Sequence, residues 1–103
     1  MTTKLTNVFQ DQERFMQACD QTTSIENKEQ FKMYVNLIDE EKKELNEAIS
    51  LNDKTEILDA LIDIIVVTIG AGHSMGFDMK GAWEEVMKTN FAKINSETGK
   101  VIK

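Results

Sequence analysis

Apolar residues recur at helical spacing along most of this chain, and the residues that break helices come late. There is no proline, and the five glycines are Gly70, Gly72, Gly76, Gly81 and Gly99, so the first two thirds of the sequence is free of the strongest breakers. The pattern predicts helices over residues 6–20, 26–51, 54–74 and 79–94. Thr22, Thr23 and Ser24 offer N-caps for the second helix. Ser50, Asn52 and Asp53 interrupt the periodicity before the third, where Asp53 and Glu56 resemble a capping box. Gly76 followed by Phe77 and Asp78 reads as a glycine stop and then an aspartate cap for the fourth. The polar tail, Asn95 to Lys103, reads as a loop or short arm. The expectation is one all-α domain over residues 1–103, a four-to-five-helix antiparallel bundle with a tight turn between its second and third helices.

Acidic residues interrupt the apolar faces. With Tyr34 as zero and a step of about 100° per residue, Phe31, Leu37, Ile38, Leu45, Ala48 and Ile49 fall within about 60° of one direction. Glu41 falls inside that stripe at about −20°, Glu44 at its edge near −80°, and Lys43 points away. Glu40 and Glu47 lie further round on the flank. In the third helix Ile57, Leu58, Leu61, Ile62, Ile64, Ile65 and Ile69 cover most of the circumference, which implies burial on nearly all sides. Glu56, Asp59, Asp63, Gly70 and Ser74 share one narrow line of about 60°.

An isolated buried carboxylate costs several kcal/mol, so a counter-charge is required. Lys42 and Lys43 leave the core side and do not provide it. A divalent cation resolves the conflict. The candidate donors are all carboxylates and the one histidine, His73, is off the acidic line, which suits Mg²⁺ or Mn²⁺ over zinc or copper. No Glu-x-x-His pair exists for a di-iron bundle. Gly70 reads either as room for a ligand beside the metal or as a close helix crossing.

Composition narrows the partners. Among 103 residues, 18 acidic and 12 basic side chains give a net charge of −6, which leaves no basic stripe for polymeric nucleic acid or an anionic membrane. An anionic ligand would arrive with a cation. The single cysteine, Cys19, forms no internal disulfide and anchors no zinc; it reads as a small packed residue in a reducing cytoplasm. The first residues lack a signal peptide, and Asp59 and Asp63 break the greasiest run, so no membrane span is expected. His73 reads as a surface or capping residue, and Trp83, Phe77, Phe31, Phe15 and Tyr34 as core or interface. Four short helices cannot shield so apolar a third helix, so a homodimer or homotetramer is expected.

Three blocks in order, Glu40-Glu41-Lys42-Lys43-Glu44-Leu45, EILDALIDIIVVTIGAGHSMGFD and EEVMKTNFAK, resemble the all-α nucleoside triphosphate pyrophosphohydrolases, the MazG-like and dimeric dUTPase-like superfamily. The resemblance implies a MazG-like bundle completed by oligomerisation. It also implies Mg²⁺-dependent hydrolysis of a nucleoside triphosphate, deoxynucleotides included, to monophosphate and pyrophosphate. Glu41, Glu44, Asp59 and Asp63 would hold metal, with Glu56 a further ligand. Glu40 would be a base orienting water, and Asn90 and Lys93 would contact the nucleotide. One departure is Ala60, where many relatives carry a glutamate. Either Asp59 takes over that role beside Asp63, or the acidic pair is Glu56 with Asp59. The closing helix departs too, with Trp83 and Lys88. Phosphoribosyl-ATP pyrophosphohydrolase, a relative with similar bundles, ranks lower because its fuller motif set is not found. A noncatalytic helical bundle with a structural cation is the reading from another class.

Overall fold

The computed structural model describes residues 4–94 and 98–100. Among them are four helices, α1 (Val8–Ala18), α2 (Lys28–Ser50), α3 (Lys54–Ser74) and α4 (Met79–Ala92), and no strand. The chain is all-α, and the third helix has the bounds the periodicity predicts. The others are shorter by two residues or so at their ends. Most of the tail lies outside the described residues.

Side chains start the helices. Asn7 accepts from the Phe9 and Gln10 amides at 3.0 Å each, and Asp53 and Asp78 cap α3 and α4 from the positions the sequence indicates. The cap of α2 is Asn27, not the expected Thr22, Thr23 or Ser24. Thr22 and Thr23 have other partners: Gln30 donates to the Thr22 carbonyl at 2.7 Å, Asn27 to the Thr22 hydroxyl at 3.1 Å, and Gln17 to the Thr23 hydroxyl at 3.2 Å.

Three helices end alike. Asp20, Asn52 and Gly76 take φ of 59°, 51° and 72° just past α1, α2 and α3. The following amides, Gln21, Asp53 and Phe77, turn back to the carbonyls of Met16, Ala48 and Gly72 at 2.9, 3.0 and 3.1 Å. This left-handed closure satisfies carbonyls that would otherwise be orphaned. It also explains how a chain without proline makes sharp joints.

α2 and α3 form the main antiparallel pair, with α1 across α3 and α4 against its end. Every step along α2 is matched by a step back along α3. Gln30 donates to Ser74 Oγ at 2.8 Å; the Tyr34 ring faces Gly70; Leu37 and Val67 pack against the cluster of Met16, Tyr34 and Ala71. The core is small. Leu58 (62% exposed), Leu61, Ile62 (51%) and Ile65 form an open apolar stripe on α3 at helical spacing. The expected burial of this helix on nearly all sides is therefore not achieved within one chain. Ile49, placed on the core face of α2 by its angle, is also exposed, because α3 covers a narrower strip than the wheel allots. By length and mean hydropathy, 1.6 over its most apolar window, α3 alone would suffice to cross a membrane, but it is the central helix of a bundle and carries Asp59 and Asp63.

Two further expectations are corrected. His73 is buried, and its Nε2–H donates to the Phe9 carbonyl at 2.8 Å, tying the end of α3 to the start of α1. Cys19 is exposed rather than packed, because it is the C-cap of α1 and sits where the chain leaves the helix.

Candidate acidic site between α2 and α3

The antiparallel register brings the two acidic patterns together. Seven residues beyond Tyr34 on α2 is Glu41, and seven before Gly70 on α3 is Asp63. One turn away from each are Glu44 and Asp59. Glu41 is half-buried, and its Oε2 is buried with no hydrogen-bond partner. Burial first, then the negative charges of Glu44, Asp63 and Asp59, pushes the Glu41 carboxyl above its ordinary value. Asp63 is raised likewise, by burial, then Asp59, then Glu44. Four carboxylates thus act on one another across the helix pair.

No cation answers them. Among the described residues the one ion pair is Lys80 with Glu84 at 3.9 Å, exposed on α4. Lys42 and Lys43 are exposed on α2, on the outward side the wheel gave them. Nor do three such side chains converge into a formed metal-binding group among the described residues; uncompensated like charges keep apart. The donor set still fits a hard divalent ion. It is all oxygen, it includes a buried oxygen with no partner, and its members already share one field.

The other expected residues lie elsewhere. Glu56 is exposed and, with Glu44, Glu47 and Asp53, lines a groove of about 300 Å³ at the α2–α3 turn, so Glu44 borders both this groove and the acidic cluster, whereas Glu56 is not among the charges that raise Glu41 or Asp63. Glu40 is exposed on the flank of α2 and is not among the charges that raise Glu41 or Asp63. Asn90 lines a mostly apolar groove with Met87, Phe91 and Ile94, and Lys93 is the C-cap of α4. Both are exposed, and neither is among the groups acting on Glu41 or Asp63. Ala60 is buried, where an acidic side chain at the centre of the helix contact would have to be accommodated. Gly70, left open by the sequence, is a close crossing filled by the Tyr34 ring. The role of His73 as an anchor was the signal missed; its one sequence sign was the absence of any polar neighbour before Ser74 on that turn.

Fold and site together define an all-helical bundle with carboxylates facing one another across an antiparallel helix pair. The model of the family described as phosphoribosyl-ATP pyrophosphohydrolase matches residues 8–90, and the chain belongs to this family, within the all-α nucleoside triphosphate pyrophosphohydrolase superfamily. The match spans α1 to nearly the end of α4, and it is the relative that the motifs alone ranked lower. The chain is also 39% identical over 72 residues to an uncharacterized protein of Acanthamoeba polyphaga mimivirus, covering 68% of this chain and 29% of that protein. The chain therefore spans less than a third of the length of that relative. No solved structure matches.

Proposed function

We propose that this chain is a nucleotide pyrophosphohydrolase that cleaves a nucleoside triphosphate to the monophosphate and pyrophosphate with Mg²⁺, or Mn²⁺, held by Glu41, Glu44, Asp59 and Asp63. The observation that carries this reading is the buried, partnerless Oε2 of Glu41 beside three further carboxylates and no cation. Family membership supports the same reaction class. When bound, the ion polarises the phosphoryl group and offsets its charge. The protein's own part is to hold four carboxylates on two paired helices, with Glu41 and Asp63 half-buried and Glu44 and Asp59 exposed. Of the two acidic pairings, Asp59 with Asp63 is favoured, because both act on Glu41 and Glu56 does not. Glu40, exposed one residue from Glu41, is assigned to orient water, and Glu56 to a supporting position at the turn.

Asn90 and Lys93 are assigned to the nucleotide, and the open stripe on α3 to a second copy of the chain, giving a homodimer or homotetramer in the cytoplasm. A specific observation favours a second substrate: the matched family is described by phosphoribosyl-ATP, which has the same triphosphate to cleave.

The test is a panel of nucleoside triphosphates, deoxynucleotides and phosphoribosyl-ATP with Mg²⁺, scored for pyrophosphate against orthophosphate. Pyrophosphate release that falls at least about 100-fold in Glu41→Gln and Asp63→Asn is expected, the order of loss when a metal's support is removed. Orthophosphate release, or undiminished activity in both variants, overturns the proposal. Metal binding without turnover of any substrate favours the noncatalytic bundle.

A further inference from the structure

A glycine in a buried helix interior is unfavourable by about 1 kcal/mol relative to alanine, so Gly70 must answer to space. A Cβ there would stand 2.7 Å from Tyr34 Cδ1 and 2.8 Å from Cζ. The ring has nowhere to go. It is buried with Met16 and Ala71, enclosed by Phe31, Leu37, Ile38 and Val67, and its hydroxyl donates to Gln21 Oε1. Gly72 makes a useful contrast, since a Cβ there meets only the flexible thioether end of Met79. At Gly72 a side chain can move; at Gly70 a helix must.

We propose that the Tyr34–Gly70 contact is a register lock for the acidic site, with both residues acting as positioning residues that hold α2 and α3 at the separation where Glu41 faces Asp63. The carboxylates lie two turns away, about 10 Å along the axes. The Gln30–Ser74 bond pins the pair on the far side of the lock, and the Asp53 amide returning to Ala48 pins the other end. The helix pair is thus held at its two ends, and the lock sets the gap between them. The lock's role in metal binding rests on the proposed site, whereas its geometric part stands without it.

Two readouts separate the two, both on the full chain. The first is Mn²⁺ affinity, titrated with the metal alone. The second is the distance between nitroxides at Asn36 and Thr68, exposed positions between lock and carboxylates, in a Cys19→Ser background diluted with unlabelled protein. Gly70→Ala is expected to lengthen the Asn36–Thr68 distance and weaken Mn²⁺ binding about tenfold or more. Tyr34→Leu added to Gly70→Ala makes room for the methyl and is expected to restore both. Gly76→Ala, past the end of α3 and away from the ring, is expected to lower the melting temperature and leave both unchanged, which a merely structural Gly70 would imitate. If Gly70→Ala does not fold, Tyr34→Phe, which keeps the ring, should retain Mn²⁺ affinity while Tyr34→Leu alone weakens it. An unchanged distance and affinity in Gly70→Ala, or a loss that Tyr34→Leu does not relieve, overturns the lock. If the wild-type protein binds no Mn²⁺, the proposed function fails, and the distance series decides the lock by itself.

Discussion

Burial and like charge make Glu41 and Asp63 hold their protons more tightly in the folded chain than in the unfolded one. Such groups stabilise the fold below the unfolded-state carboxyl values of about 4, and this contribution is lost as pH rises through the raised folded values. In EDTA, the stability of the wild-type chain relative to Glu41→Gln is therefore expected to fall as pH rises from about 4 toward neutrality. Urea unfolding of both proteins across that range measures the difference. Saturating Mg²⁺ binds the ionised form and is expected to reverse the order at neutral pH, stabilising the wild type and not the variant. A flat difference profile would show that Glu41 is as well solvated folded as unfolded.

At the scale of the elements, three left-handed closures allow opposite tests. Asp20 holds φ of 59° with a Cβ that this region disfavours, whereas Gly76 holds 72° without one. Asp20→Gly is expected to stabilise the chain by about 0.5–1 kcal/mol, a rise of a few degrees in melting temperature. Gly76→Ala is expected to destabilise by about 1 kcal/mol or more, since its Cβ would also press on the Ile25 backbone at 3.2–3.3 Å. Thermal melts of the two variants beside the wild type settle the signs. The glycine stop was visible in the sequence; the aspartate and asparagine stops were not, because neither residue requires positive φ and only the chain's path forces it.

For the molecule as a whole, the open stripe of Leu58, Leu61, Ile62 and Ile65 is the strongest reason to expect self-association. Sedimentation velocity is expected to show a dimer or tetramer, and Ile65→Lys, on the open stripe and on the side of α3 away from Asp63, is expected to shift it toward monomer. A monomeric wild type would leave the stripe for another partner.

The sequence alone determined the helices, because their 3.6-residue period, aspartate caps and lack of proline are local properties. It also placed Glu41 on a core face and Asp59 and Asp63 on one line, since those angles follow from spacing within one helix. What tertiary structure decided is everything that depends on how two helices meet. It put Glu41 opposite Asp63 with Glu44 and Asp59 near enough for their charges to act on both, while Glu56 and Glu40 are not among those charges. It turned Gly70 from two readings into one and made His73 an anchor. The reason is physical: a helical wheel gives the direction of a side chain but not the height of its neighbour, and here that height follows from the antiparallel register that runs from the Gln30–Ser74 bond to the α2–α3 turn.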